Sequence, residues 1–398
     1  MIIAFSKDWN DVPTCTTHIL RELGRTEPVL WIESIGTRRP KLMRGGKDWG
    51  RLARRLAGML KGAERKENYL WVLAPVLIPK PTVRWQCVLN NCLFRLQEGA
   101  ALRRARHHSP LTARHSPSEY WSFIPNTADL LPRRRRGAVV YYCTDNWSLF
   151  SNLNGVYLAA KERELVARAD VVFATSMPLV DRIRAMLDDT KRYRTQVIYA
   201  PHGVEHAKFT KALSDDTHVP ADMLRLSKPV VGFYGNICSW IDFDLIVRLA
   251  MARPGWSFVL IGAVQCDVDR LEGVANVHLV GRREHDVLPV YCKAFSVAMI
   301  PYDLADPRME TVNPVKGREL LAAGVPIVAA DLPELRGFGE DIICCRGDAE
   351  WLAAMEKQIA RQDRSEISQR MKQEDWSSKV ARLRQEVETV CGNAGPQM

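Results

Sequence analysis

Of the 398 residues, 46% are hydrophobic and 26% charged, which excludes a disordered chain and supplies apolar material for two domains with cores of their own. The net charge of +10 is lopsided: 33 Lys and Arg meet 18 Asp and Glu in residues 1–200, against 23 and 28 in the remainder. Apolar runs such as Val171–Ala174 and Val259–Ile261 are far shorter than the roughly 20 residues that cross a bilayer, and the start, "MIIAFSKDWN", lacks the basic segment and long apolar core of a secretory signal, so a cytoplasmic chain is expected.

From the N-terminus, "MIIAFS", "PVLWIES", "YLWVLAP", "GAVVYYCTD", "DVVFATS" and "TQVIYAPHG" read as strands, with helices in "TTHILRELGR" and "LAAKERELVARA" between them. The stretch 96–117 has no clear period and is expected to be loop with a frayed helix, and the polar stretch from Val204 to Asp222 reads as a linker. Beyond it the pattern is cleaner. "KPVVGFYGNI" is a buried strand ending in glycines, "WIDFDLIVRLAMARP" has helical apolar spacing, and "WSFVLIG" is a second strand. The alternation continues through "NVHLVGRR", a helix over 286–294, "FSVAMIPY", a helix over 315–323, "PIVAAD" and a helix over 351–361. Strands and helices alternating through short glycine- or proline-marked turns indicate an α/β chain with doubly wound, mostly parallel sheets. Ligands bind beyond the carboxyl ends of the strands in such sheets.

In "GFYGN", Gly232 and Gly235 close a strand ahead of a helix. Bare N–H groups and the positive end of a helix dipole there suit a diphosphate, and the turn also needs glycine on conformational grounds alone. The spacing is neither a Walker loop nor GxGxxG. In "NPVKGRELLAAGVPIVAADLPEL", Asn313 or Thr311 is placed to cap a helix that Pro314 opens and Gly324 ends. Lys316 and Glu319, three apart, share a face of that helix. A carboxylate there can accept both hydroxyls of a ribose while the ammonium meets a phosphate; a merely solvated ion pair is the alternative.

Asp145 ends the strand "VVYYCTD" and Asp8 lies in the first loop. Either can orient or deprotonate an acceptor hydroxyl, and Asp145 can equally cap a helix before Trp147. His202 is expected to fix the turn at a hinge, and His107, His108 and His115 lie in basic loop sequence without an acidic partner. Two triplets, Asp242-Phe-Asp244 and Asp267-Val-Asp269, offer carboxylate pairs to Mg²⁺ or Mn²⁺. The first straddles a helix start, where Asp caps, and the second sits in a loop, so no metal is expected. Ten cysteines without a CxxC pair fit reduced thiols. "GKDWGRLARRLAGMLKG" sets Trp49, Leu52, Leu56 and Leu60 near one face of a basic helix, and Arg133–Arg136 add to the field. That arrangement suits an anionic membrane surface or an ordinary packed helix, and no recognition motif ties the charge to nucleic acid.

Together with "DWNDVPT", "LWIESIGTRRP", "VVYYCTDNWSLF", "ADVVFATS", "APHGVEHAKF", "VVGFYGNI", "NVHLVGRR" and the late "DWSSKVARL", the Asn313–Leu335 stretch resembles the GT-B glycosyltransferases that use nucleotide-sugar donors, especially bacterial teichuronic-acid and exopolysaccharide transferases. The matching stretches run through nearly the whole chain in that family's order. The resemblance implies two Rossmann-like doubly wound domains facing a cleft: an acceptor-binding domain over 1–205, with a C-terminal helix at about 370–391 packing back on it, and a nucleotide-sugar-binding domain over 206–369. It implies that Glu319 is the second glutamate of an E-x7-E pattern and binds the donor ribose. Gly235 and Asn236 would line the cleft near the diphosphate, Arg282 and Lys316 would be the phosphate cations, and Asn313 would belong to the same donor site. The position of the first glutamate holds Thr311, with Glu310 one residue out of register, which leaves donor sugar and stereochemistry open. The implied activity is metal-independent, cofactor-free hexosyl transfer, from a UDP-sugar by preference, to a glycan or polyprenyl-linked acceptor in cell-envelope polysaccharide synthesis at the inner membrane face. The alternative readings are a nucleotide-sugar epimerase of the same architecture and a non-catalytic module that retains the nucleotide-sugar cleft.

Overall fold

The computed structural model describes residues 1–34, 62–78, 84–108, 119–132, 137–150, 154–190 and 194–393. The basic helix anticipated around Trp49–Lys61, the run Arg133–Arg136 and the side chains of His107, His108 and His115 lie outside the described residues. The chain divides into two compact units, residues 1–201 with 380–398, and residues 202–379.

The first unit is built on an eight-stranded sheet: β1 (Ile2–Phe5), β2 (Val29–Ile32), β3 (Glu64–Glu67), β4 (Leu70–Leu73), β5 (Glu119–Ser122), β6 (Ala138–Cys143), β7 (Val171–Ala174) and β8 (Gln196–Tyr199). Their order across the sheet is β3-β4-β2-β1-β5-β6-β7-β8, and all pair in parallel except β3, which runs antiparallel to β4. The run IIAF in β1, VLWI in β2, LWVL in β4 and VVFA in β7 is buried throughout, because parallel strands covered on both faces need apolar residues in and out of the pleat. The charged edge strand β3, ERKE, blunts one margin of the sheet. Helices α1 (Cys15–Thr26), α2 (Arg84–His108), α3 (Gly155–Val166) and α4 (Met177–Thr190) lie between the strands in sequence.

Strands β3 and β5 and helices α2 and α4 are not among the elements read from the sequence. Residues 96–108 continue α2 rather than forming loop. Its regularity escapes notice because polar side chains anchor it: Arg95 pairs with Glu98, and Glu98 accepts from Tyr120 Oη at 3.1 Å. Strand β5 sits between β1 and β6 in mid-sheet. Its Glu119 accepts both from Trp121 Nε1 at 2.6 Å and from Arg384 at 2.7 Å.

The second unit carries a six-stranded, all-parallel sheet, ordered β11-β10-β9-β12-β13-β14. The strands are β9 (Val230–Tyr234), β10 (Ser257–Ile261), β11 (Val277–Leu279), β12 (Val297–Ile300), β13 (Ile327–Ala330) and β14 (Ile342–Cys345). Helices α5 (His206–Phe209), α6 (Phe243–Ala252), α7 (Leu288–Cys292), α8 (Val315–Ala322), α9 (Asp348–Ile359) and α10 (Arg364–Arg370) accompany it, and α11 (Trp376–Asn393) begins here and ends in the first unit. Phe209, Phe233, Phe258 and Trp351 are fully buried in its core. The polar stretch read as a linker is thus part of the second unit: it contributes α5 and seals Val204 and Phe209 inside. Both sheets reverse their winding beside their first strand, at β1/β5 and β9/β12, and such reversals open a crevice beyond the strand ends.

Candidate functional site

At the β9/β12 reversal, β9 delivers Phe233, Tyr234 and then Gly235, Tyr302 follows β12, and α8 begins nearby in sequence with Val315. Lys316 Nζ donates to Tyr302 Oη at 2.6 Å and lies 4.7 Å from the centre of the Phe233 ring and 5.1 Å from that of Tyr302. Two aromatic faces therefore cradle the ammonium by cation–π attraction. Gly235 has φ +139°, and a Cβ there would stand 2.7 Å from Lys316 Nζ, so glycine lets the cation reach the backbone. The next strand end is as tightly fitted: a Cβ on Gly262 would lie 1.7 Å from Gly235 O. Gly262 N in turn donates to Gly281 O at 3.0 Å. The ends of β9, β10 and β11 thus meet through bare backbone. Asn236, just beyond, is exposed, as is Arg282, whose guanidinium meets Glu284 at 3.3 Å.

Glu319 is only 8% exposed. Its Oε2 accepts from Tyr234 Oη at 2.9 Å and its Oε1 lies 2.8 Å from His285 Nε2. Burial, with the adjacent Glu319 charge, pushes the Tyr234 phenol well above its usual range, so it is a fixed donor. Behind His285, Nδ1 is 3.7 Å from Glu205 and 3.4 Å from Lys208 Nζ. Burial alone would lower the imidazole's pKa, but the hydrogen bond and charge of Glu319 outweigh it and hold it above the usual value. Sequence reasoning missed Tyr234 and His285, although a tyrosine closing a buried strand beside a glycine turn was a visible signal.

Asn313 does not take the capping role expected of it. Pro314 occupies the N-cap position of α8 with no side-chain cap, and the buried Asn313 amide donates to Glu334 at 3.1 Å while accepting from Arg318 at 2.8 Å. It thereby braces the inward-facing Arg318, which also meets Glu374 at 3.5 Å. Thr311 donates to Arg308 O at 3.3 Å instead of capping α8. His202 is buried, with its ring 6.4 Å from that of Trp376. Burial, reinforced by Arg318 and Lys379, depresses its pKa to about 3, so it stays neutral.

The aspartate triplets are engaged locally. Asp242 caps α6 by accepting from Leu245 N at 2.8 Å, Asp244 pairs with Arg270, and Asp267 accepts from Asp269 N at 2.8 Å. Among the described residues no three His, Cys, Asp or Glu side chains gather as metal ligands.

In the first unit, Asp8 Oδ1 accepts from Ser34 N at 3.1 Å and Ser34 Oγ at 2.6 Å, tying the loop after β1 to the end of β2. Asp145, just past β6, caps neither neighbouring helix. Asn154 caps α3 by accepting from Tyr157 N at 3.2 Å, and Asn146 precedes the single turn Trp147–Leu149. The residue as a whole is half-buried, but its carboxyl group is shielded from water, which holds it above the usual carboxylate range against an opposing hydrogen bond with Thr144. Burial, then the Asp145 charge, raises the Cys15 thiol to about 12. Asp8 and Asp145 accordingly lie at the carboxyl ends of β1 and β6, the two strands that flank β5.

No family model matches the chain. It is 26% identical over 373 residues, 83% of this chain and 92% of the other, to a Bacillus subtilis protein named as a teichuronic acid biosynthesis glycosyltransferase, TuaH. Among solved structures, sucrose-phosphate synthase from Thermosynechococcus elongatus matches with a TM-score of 0.64 at 15% identity, over 98% of this chain and 99% of that one. Trehalose-6-phosphate synthase from Burkholderia multivorans matches at 0.64 and 14% identity, over 99% of each chain. Anabaena HepE in complex with UDP matches at 0.62 and 12%, over 98% and 99%. The fold is that of the GT-B proteins, with two α/β parallel-sheet domains, and the relationship to TuaH supports a glycosyltransferase, as the motifs implied.

Proposed function

We propose that this GT-B chain takes a sugar from a nucleotide diphosphate, a UDP-sugar by preference, and joins it to a hydroxyl of a glycan or lipid-linked acceptor in envelope polysaccharide synthesis. The observation that carries the reading is the β9/β12 crevice, where Lys316 stands against the bare backbone of Gly235 and a buried carboxylate, Glu319, follows one helical turn later. The diphosphate takes Lys316 where the side-chain-free backbone of Gly235 leaves it room, with Arg282 and Asn236 beside it on exposed loops, and the ribose hydroxyls take Glu319. Asp145 orients or deprotonates the acceptor hydroxyl, with Asp8 as the second candidate. Catalysis is positioning plus stabilisation of charge on the leaving phosphate, without metal or cofactor. UDP in the HepE structure is in keeping with such a donor. Turnover with and without acceptor distinguishes transfer from epimerisation and from binding alone.

Replacing Glu319 with glutamine tests the ribose assignment, since an amide fills the same space but offers one acceptor oxygen in place of two. UDP affinity measured by calorimetry should fall about 10- to 100-fold, or ~1–3 kcal/mol, and EDTA should change neither protein's affinity. Parental affinity in a folded Glu319→Gln variant removes Glu319 from the donor site.

A lipid-linked acceptor calls for a membrane-facing surface. Trp85, Val88, Leu89 and Leu96 fall on one side of α2 and are exposed, Trp85 by 61% and Leu96 by 72%, in the half of the chain that carries the positive excess. Vesicles containing anionic lipid should therefore sediment the protein at low salt and release it as salt rises. Equal sedimentation with neutral vesicles sets the anionic surface aside.

A further inference from the structure

We propose that His285 is a positioning residue of the donor site: it holds the Glu319 carboxylate in the free protein and yields it, with release of a proton, when the ribose of a nucleoside diphosphate binds. This rests on the donor-site reading above. A ribose offers its two hydroxyls to a carboxylate, but both Glu319 oxygens already have donors, Tyr234 Oη at 2.9 Å and His285 Nε2 at 2.8 Å. The carboxylate is almost wholly enclosed, so an incoming pair of hydroxyls competes with one of them. Tyr234 is fixed, being buried and stacked on Phe209 with ring centres 6.5 Å apart. His285 is the removable donor: its side chain is 25% exposed and it opens a single turn, His285–Val287, in the connection after β11.

The groups around the imidazole give the exchange a proton. Glu319 faces it from α8, Glu205 and Lys208 from the start of α5, and the Phe209 ring meets it edge-on at 5.4 Å. Its own neighbour, Asp286, is turned to Lys208 at 2.8 Å, and Lys208 also holds Glu205 at 2.6 Å. Protonated, His285 can donate to Glu319 through Nε2 and towards Glu205 through Nδ1; neutral, it can keep Nε2–H on Glu319 while Nδ1 accepts from Lys208. Burial and Lys208 oppose the cation, but Glu319 prevails and the proton is held more tightly than on an ordinary histidine. Once ribose hydroxyls occupy Glu319, that pull weakens and the proton passes to solvent. Binding that releases a proton tightens as pH rises, between the bound and the free titration of His285.

The test is calorimetric titration with UDP from pH 5.5 to 8.5, in paired buffers of different ionisation enthalpy, on the parent, His285→Gln and His285→Asn. Ionisation of UDP itself is common to all three and cancels in the comparison. The parent should release more protons than the variants near neutrality, and its affinity relative to theirs should rise by up to about tenfold across the range. Equal proton release and parallel affinity profiles overturn the proposal while leaving the donor site intact. Failure of every protein to bind UDP at any pH overturns the donor-site reading, and this inference with it. If neither variant folds, proton release by the parent in excess of that of UDP supports the proposal, and its absence overturns it.

Discussion

Lys316→Met should slow single-turnover sugar transfer about 10²- to 10³-fold, the usual consequence of removing one preorganised group aimed at developing charge, while UDP affinity falls much less. Methionine is chosen because an unbranched, polarisable side chain keeps its packing on the Phe233 and Tyr302 rings, so the change removes charge rather than volume. The asymmetry follows from where the ammonium sits. It is held 2.6 Å from Tyr302 Oη and against the Gly235 backbone before any ligand arrives, so little reorganisation is needed when the bond to the leaving phosphate lengthens and negative charge accumulates there. A contact that strengthens between ground state and transition state appears mainly in the rate. Rapid-quench measurement with a saturating donor, alongside calorimetry with UDP, separates the two. If rate and affinity both match the parent, Lys316 is a packing residue between two rings and the diphosphate must be placed elsewhere.

The parts of this site that the sequence discloses are those written in contiguous residues. The strand–glycine turn at Tyr234–Gly235 and the helix bearing Lys316 and Glu319 are local patterns, and their periodicity survives without knowledge of neighbours. What surrounds Glu319 is not local: Tyr234, His285 and Glu205 come from β9, from the loop after β11 and from the segment that reads as a polar linker. A buried carboxylate needs such partners, but nothing along the chain says which distant donors meet it. The same holds in the first unit. Strand β5 hides because Glu119 and Ser122 bracket its only apolar pair, Tyr120 and Trp121, and the Arg384 that neutralises Glu119 lies far away in α11. Asn313 illustrates the converse error. A polar residue just before a helix suggests a cap, yet the buried Arg318 one turn later has first claim on it.

Asp145→Asn should lower turnover with acceptor about 10²- to 10⁴-fold, the range associated with loss of a general base, and leave UDP affinity unchanged because its proposed contact is with the other substrate. The structure adds a condition that distinguishes this from damage to the fold. Because shielding from water holds the Asp145 carboxyl above the usual range, the folded chain binds that proton more tightly than the unfolded chain does. The ionised form therefore works against folding above the folded-state pKa, and this penalty fades as pH falls through it. Asparagine carries no charge to shield, and Asp145 caps no helix whose loss would offset the gain. The melting temperature of Asp145→Asn at neutral pH should thus equal or exceed that of the parent. Activity should run the other way: the parent's rate should rise with pH as the carboxylate ionises and then level, while the variant's residual rate should lack that limb. A stable variant with a large loss of turnover places a base at the end of β6 that costs the fold stability. A variant with a lower melting temperature gives Asp145 a structural role, and one with undiminished turnover moves the base assignment to Asp8, whose carboxylate would first have to be shared with Ser34.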